Sequence, residues 1–406
     1  MFFLTTIDKS LTLPLNGRDP LGTQAIWQWR ARDVVPALTA ASRQAEGFQL
    51  LLTALAWWPV FAKRHSRPNT DQKKYFLLVE QAFARSWRTQ GEHAWPLPGK
   101  RRLSSNDPGV WIGLDAQRHF LIDSPLTNGT WGIYRGPLLN AHLIDASNLI
   151  SDRKFEEFVR RDTKIMERLF HHLNRALTAT PGPDEMLAQI KSNAIVKELV
   201  DILYKLPLKT KLKEKLVAPL DSPITAAIAD IALQAPEEEG PEALVKRALQ
   251  RLPEWRKPLT DVLRCERYLA VLDASFEQLC ASVLAGDSDP AAGLKVDMTQ
   301  LRHAQVKFAA SGIYQGLADT RRKQLLQAPT RDAKGLASFL LEHHGSVSKA
   351  RGSSPWLSSL DSGRLECRVE VDEPASRQLQ PATAWRNSYY LDALRTLAER
   401  LSGRAR

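Results

Sequence analysis

Apolar residues recur along most of this chain at spacings of three and four, the period of one buried face of an α-helix. Asp19-Pro20 predicts a helix start, because a carboxylate can cap free amides and proline suits the first turn. The pattern carries that helix to about Val35, where Pro36 interrupts it. A second helix is predicted over 41–64, dense in Leu, Ala and Trp, and ending on Lys63 and Arg64, whose charges complement a helix C-terminus. A third is predicted over 70–89, with Phe76, Val79 and Phe83 at helical spacing. The three together predict a bundle.

From 95 to 128 prolines and glycines punctuate short apolar runs, which predicts loops and turns. Asn128-Gly129 reads as a tight turn, and TWGIYRGPLLNAHLID as a short extended piece leading into a helix. Helical periodicity resumes near Ser151 and runs to Leu177, with Phe155, Phe158, Ile165, Leu169 and Leu173 as its core face. Further helices follow to about Ala235, and Pro236-Glu237-Glu238-Glu239-Gly240-Pro241 reads as a linker. The expected domains are therefore 1–235, a helical basic domain with a loop-rich insert at 95–130, and 241–406.

Beyond the linker, helices are predicted over 242–252 and 258–284, then a turn over 286–293 and a helix broken near Gly312 and Gly316. A short helix over 335–344 precedes the turn Asp361-Ser362-Gly363 and the stretch RLECRVEVD, which alternates charged and apolar residues. Such alternation predicts a half-buried strand with Leu365, Cys367, Val369 and Val371 turned inward. The last helix is predicted over 385–401. The fold class is thus mainly α, multi-helix domains with a small C-terminal β-hairpin, and the order helix, basic loop, hairpin suggests a winged-helix-like element. No internal repeat is present, which disfavours a helical solenoid.

Composition narrows the partners rather than the fold. Hydrophobic residues at 43% and charged residues at 25% are those of an ordinary globular chain. Lys and Arg total 56 against 45 Asp and Glu, a formal net charge of +11, so the surface field attracts polyanions. Cys265, Cys280 and Cys367 are an odd count without a close pair, indicating neither a disulfide framework nor a zinc site. The N-terminus lacks the basic start and apolar run of a signal peptide, and no run of about 18 apolar residues suggests a membrane span. The expectation is a cytoplasmic protein with no membrane association and no cofactor.

Two basic stretches carry the candidate site. Between Val60 and Arg102 the basic residues are Lys63, Arg64, Arg67, Lys73, Lys74, Arg85, Arg88, Lys100, Arg101 and Arg102, against the acids Asp71, Glu80 and Glu92. Tyr75, Trp87 and Trp95 are interleaved, and rings beside cations can stack on unpaired bases while phosphates are neutralised; the alternative is that the rings belong to the core. A second stretch runs from Arg302 to Arg351 and includes Lys307, Arg321, Arg322, Lys349 and Arg351, placed to contact DNA beside the expected wing. The residues expected to bind nucleic acid are Lys63, Arg64, Lys74, Arg88, Lys100, Arg101, Arg102, Arg321, Arg322, Lys349 and Arg351. Lys205, Lys209, Lys211, Lys213 and Lys215 read as a solvated terminus.

Enzyme signatures are missing: no Gly-rich phosphate loop, zinc-type His-Glu motif or nucleophile elbow occurs. His171-His172 with Glu167, and His343-His344 with Glu342, are more readily packed or capping histidines than metal ligands. Glu366, Glu370 and Asp372 alternate with Arg364 and Arg368 as ion pairs on a solvated face would. No catalytic or metal-binding residue is therefore assigned.

Three segments, Arg18-Asp19-Pro20-Leu21-Gly22 with Pro36 and Thr39, GTWGIYRGP, and SPWL with WRNSYYLDAL, resemble uncharacterised bacterial proteins encoded in antiphage defence islands. The resemblance covers about a quarter of the chain and transfers no residue roles. It implies a defence context. With the charge pattern, the expected function is a non-catalytic nucleic-acid-binding subunit of a defence or DNA-processing complex, binding nucleic acid, DNA first, beside a helicase or nuclease subunit. The alternatives are a metal-dependent nuclease and a helical protein-interaction scaffold.

Overall fold

The computed structural model describes residues 19–90, 94–103, 109–151, 163–178, 188–359, 364–369 and 383–403. The protein is mainly helical, with a small antiparallel hairpin near the C-terminus. The chain divides into two compact units, 1–34 with 238–389 and 35–237 with 390–406. The crossing at 237/238 falls inside the acidic Pro236–Pro241 stretch, whereas the first and last segments each belong with the unit that sequence order would not assign them to.

The first unit is built on Arg256–Ala285, a helix of 30 residues. Leu259, Val262, Tyr268, Leu269, Leu272 and Phe276 are all buried, and a helix apolar on several faces belongs inside a core. By length and composition alone the stretch Pro253–Ala285 could cross a membrane; 56% of its apolar window is buried. The helix ends on Gly286 at φ 80°, the left-handed conformation that glycine adopts without penalty. Around it stand Gln24–Ala31, Pro241–Arg251, Met298–Ala309, Gly316–Leu325 and Ala333–Ala350. Asp297 and Asp332 cap two of these, accepting from the Gln300 and Gly335 amides at 3.0 and 2.7 Å.

The hairpin pairs Leu357–Ser359 with Leu365–Cys367 in the register Leu357↔Cys367, Ser358↔Glu366 and Ser359↔Leu365. It packs on the 256–285 and 333–350 helices. Val369 is buried and Leu365 and Cys367 half-buried, while Val371 and the turn at 361–363 lie outside the described residues. The helix before it extends well past 344, to Ala350.

Asp19-Pro20 does not start a helix; the helix begins at Gln24, after a turn closed by Gly22 N–H to Asp19 O. The Asp19–Gly22 segment is instead read by the end of the 333–350 helix. His343 Nε2 lies 2.8 Å from Leu21 O, His344 Nδ1 lies 2.9 Å from Pro20 O, and Arg351 binds both Asp19 O and the Asp19 carboxylate. His344 Nε2 accepts the Trp356 amide at 2.7 Å, so Nδ1 must carry the proton and the ring is neutral. Nearby, buried Glu266 accepts from the Arg386 amide and from both the amide and side-chain nitrogens of Asn387. Parts of two of the three resembling segments, Asp19–Gly22 and SPWL with WRNSYYLDAL, thus serve as structural ties of this unit.

The second unit packs Ala45–Arg64, Gln72–Gln90, Thr130–Asn140, Thr163–Thr178, Asn193–Lys205 and Pro223–Gln234 with the final helix, Leu391–Ser402. The expected bundle of the first three helices is not formed, because Gln24–Ala31 belongs to the other unit. Leu169 and Leu173 are buried as their spacing predicts; Phe155 and Phe158 lie outside the described residues. The last helix is tied by Arg400 to Glu46 at 2.7 Å and by Arg395 to the carbonyls of Ala235 and Pro236.

The GTWGIYRGP segment forms no extended piece: helix Pro125–Asn128 ends at Gly129 and helix Thr130–Asn140 begins at once. Its glycines permit close approach rather than a hairpin turn, since a Cβ on Gly132 would fall 2.0 Å from Thr127 O. Gln81 holds the neighbouring loop, donating to Gly113 O and accepting from Gly113 N–H, both at 2.9 Å.

Glu80 is buried beside this loop and accepts the Thr130 amide at 3.0 Å. Burial pushes its carboxyl from 4.5 up to about 7, against the Thr130 hydrogen bonds. A folded-state value above the unfolded one gives stability that is complete below pH 4.5 and lost as pH rises through 7. Glu80→Gln, which keeps an acceptor but no charge, should therefore raise stability at pH 8 relative to pH 5 by about 2 to 3 kcal/mol. Denaturant midpoints at the two pH values check this; an equal change at both would contradict it.

Candidate nucleic-acid interface

The basic residues between 63 and 102 that are candidates for nucleic acid fall into two groups set by helix ends. Lys63 and Arg64 close the 45–64 helix, and Lys73 and Lys74 occupy the first turn of the 72–90 helix. Arg88 lies in the last turn of that helix, which packs against the short helix Lys100–Leu103 carrying Lys100, Arg101 and Arg102. Lys74 and Arg88 are 14 residues apart on one helix, or about 21 Å at 1.5 Å per residue.

Electrostatics separates the structural cations from those left for a ligand. Arg64 pairs with Glu167 at 2.9 Å, and Arg67 bonds Asn174 Oδ1 at 2.8 Å. Arg102 pairs with Asp123 and donates to Phe120 O, and Arg101 is also engaged. Lys63, Lys73, Lys74 and Lys100 are exposed and have no acidic partner among the described residues. Lys73 and Lys74 also oppose the positive end of their own helix dipole, so neither stabilises the helix that carries it. Arg88 is half-buried.

The interleaved aromatics are core residues, which corrects the stacking expectation. Tyr75 is 1% exposed and packs on Trp58 and Phe61, with ring centroids 5.2 and 4.6 Å away. Trp87 and Trp95 are buried edge to face, 6.2 Å apart. Rings at 75, 83 and 87 share the inward stripe of an amphipathic helix, and that period outweighs their proximity to lysines in sequence.

Most arginines of the expected wing are likewise committed to the fold. Arg321 is buried, packs over Gly22 and donates to Gln324 Oε1 at 3.0 Å. It cannot face solvent with Arg322 as expected. Arg322 stands over the Tyr314 and Phe308 rings at 5.1 and 5.8 Å and donates to Ala309 O. Arg351 holds Asp19, leaving Lys349 exposed and without an acidic partner among the described residues.

No group of three or more His, Cys, Asp or Glu that could hold a metal occurs among the described residues. Glu167 is engaged by Arg64, and His343 and His344 by backbone groups. Glu366 pairs with Arg368, just past the end of its own strand, at 3.0 Å. The Lys205 cluster is partly paired, Lys205 with Asp201 and Lys211 with Glu214.

One acid cluster escaped sequence reading. Thr23 Oγ1 lies 3.1 Å from Asp19 Oδ1 and 3.0 Å from Asp273 Oδ2, joining two carboxyls. Burial, opposed by Arg386 and reinforced by Asp19, pushes Asp273 up to about 8, so it is protonated at neutral pH. The available signal was an isolated Asp in the apolar run YLAVLDASF. The chain matches no protein-family model, no curated protein and no solved structure.

Proposed function

We propose that this protein is a non-catalytic nucleic-acid-binding subunit of a bacterial antiphage-defence or DNA-processing complex, acting in the cytoplasm beside a helicase or nuclease. The observation that carries the nucleic-acid reading is the set Lys63, Lys73, Lys74 and Lys100, exposed, unpaired among the described residues and, at 73 and 74, set against the helix dipole. Such cations suit phosphate oxygens. The two groups along the 72–90 helix would meet phosphates about six base pairs apart on a duplex, at about 3.4 Å per step. The defence context rests on the three resembling segments. A winged-helix-like reading of the 333–367 region has the element order in its favour, with Lys349 as its candidate phosphate contact.

Because Tyr75, Trp87 and Trp95 are buried, this interface has backbone contacts and no stacking platform there. The full chain should therefore bind a duplex of about 20 base pairs at least as tightly as a single strand of the same length. Fluorescence anisotropy with both probes tests this. A preference of tenfold or more for the single strand, or no binding of either, would overturn the proposed interface.

A further inference from the structure

We infer that the first unit carries a docking groove for an acidic amphipathic helix of a partner protein, between the 256–285 and 298–309 helices. The groove measures about 550 Å³ and is lined by one face of each helix. Thr260, Leu263, Arg264 and Arg267 stand at i, i+3, i+4 and i+7 of the first. Gln300, His303, Ala304 and Lys307 repeat that spacing on the second. Each face is about 10 Å long, or two turns, which is the reach of the i, i+3/i+4, i+7 anchors by which a helix seats in a groove.

The chemistry of the lining selects the occupant. Leu263 and Ala304 give an apolar floor, and cations from three helices form the rim, Lys246 joining Arg264, Arg267 and Lys307, with no carboxylate in the lining. The carboxylates behind the rim are outnumbered: Glu242 holds Lys246 at 2.7 Å and also Arg267, and Asp261 accepts from Arg264 at 3.4 Å. Lys307 and His303 are exposed and have no acidic partner among the described residues. An apolar floor within a cationic rim complements a helix with a leucine stripe flanked by glutamates; a single nucleic acid strand would want a Trp, Tyr or Phe platform to stack on, and the lining holds none of these.

The site uses no residue of the proposed nucleic-acid interface, so the two can fail separately. The probe is a fluorescein-labelled, stapled helix of about 14 residues with leucines on one face and glutamates beside them, titrated into the full chain; controls replace its glutamates by lysines or its leucines by serines. The expected result is saturable binding of the acidic peptide only, weakened at least about tenfold by Lys307→Glu with His303→Glu, and recovery of binding by the lysine peptide in that double variant. Both positions are exposed, and circular dichroism of the double variant serves as the check on its folding. No saturable binding of the acidic peptide, affinity unchanged in the double variant, or equal competition by duplex or single-stranded DNA at the same charge concentration would overturn the inference.

Discussion

Replacing Gly47 by alanine is expected to destabilise the second unit by about 3 kcal/mol, the reverse of the usual effect of alanine in a helix interior. Gly47 lies in the first turns of the 45–64 helix, and a Cβ there would fall 2.2 Å from Cζ of Tyr134. Tyr134 is 1% exposed, its hydroxyl accepts the Gln44 amide at 3.3 Å, and its ring meets Phe48 edge to face at 4.8 Å. Neither partner has room to withdraw, so the clash must be relieved by moving helices. The motif tyrosine of GTWGIYRGP thus requires a glycine 87 positions earlier in the chain. Removing the ring as well should expose the dependence: in Gly47→Ala with Tyr134→Ala, the alanine at 47 should cost little beyond the loss of the ring. Additive losses in that cycle would show that Gly47 answers to something other than Tyr134.

Reversing three charges, Lys63→Glu, Lys74→Glu and Lys100→Glu, should weaken duplex binding at least about a hundredfold at moderate salt while leaving the fold intact. All three side chains are exposed and have no acidic partner among the described residues, so their loss removes no internal tie. Reversal changes the local charge by six units and replaces attraction with repulsion at both ends of the 72–90 helix. Reversal of Arg64 or Arg102 would be a poorer test, because each also breaks a pair, with Glu167 or Asp123. Anisotropy titrations, with circular dichroism as a check on folding, give the answer; an unchanged affinity would remove the second unit from the interface.

Helices were legible wherever one face was continuously apolar, as at 72–90 and 256–285, because burial of that face sets the period. The hairpin was legible from alternation at 365–369, where two-residue periodicity leaves little choice of register. Segments shaped by distant partners were not. Asp19 looks like a helix cap, yet its partner Arg351 is 332 positions away. Gly129 looks like a turn residue, but it separates two helices whose close approach sets its neighbours. Arg321, Arg322 and Arg351 read as a basic surface because sequence reports charge and not the carbonyls, rings and carboxylate that absorb it. Lys63, Lys74 and Lys100, and Lys73 beside them, remain exposed with no acidic partner among the described residues.

The central claim is that exposed lysines without an acidic partner among the described residues bind phosphates, and its most direct test is the salt dependence of duplex affinity for the wild type beside Lys63→Ala, Lys74→Ala, Lys100→Ala. For phosphate contacts the logarithm of affinity falls linearly with the logarithm of salt, by about 0.9 per contact. The account predicts a steep slope for the wild type and one shallower by about 3 for the triple variant, with weaker binding to every duplex sequence alike. A slope unchanged by the three substitutions, or no measurable duplex affinity at low salt, would contradict it.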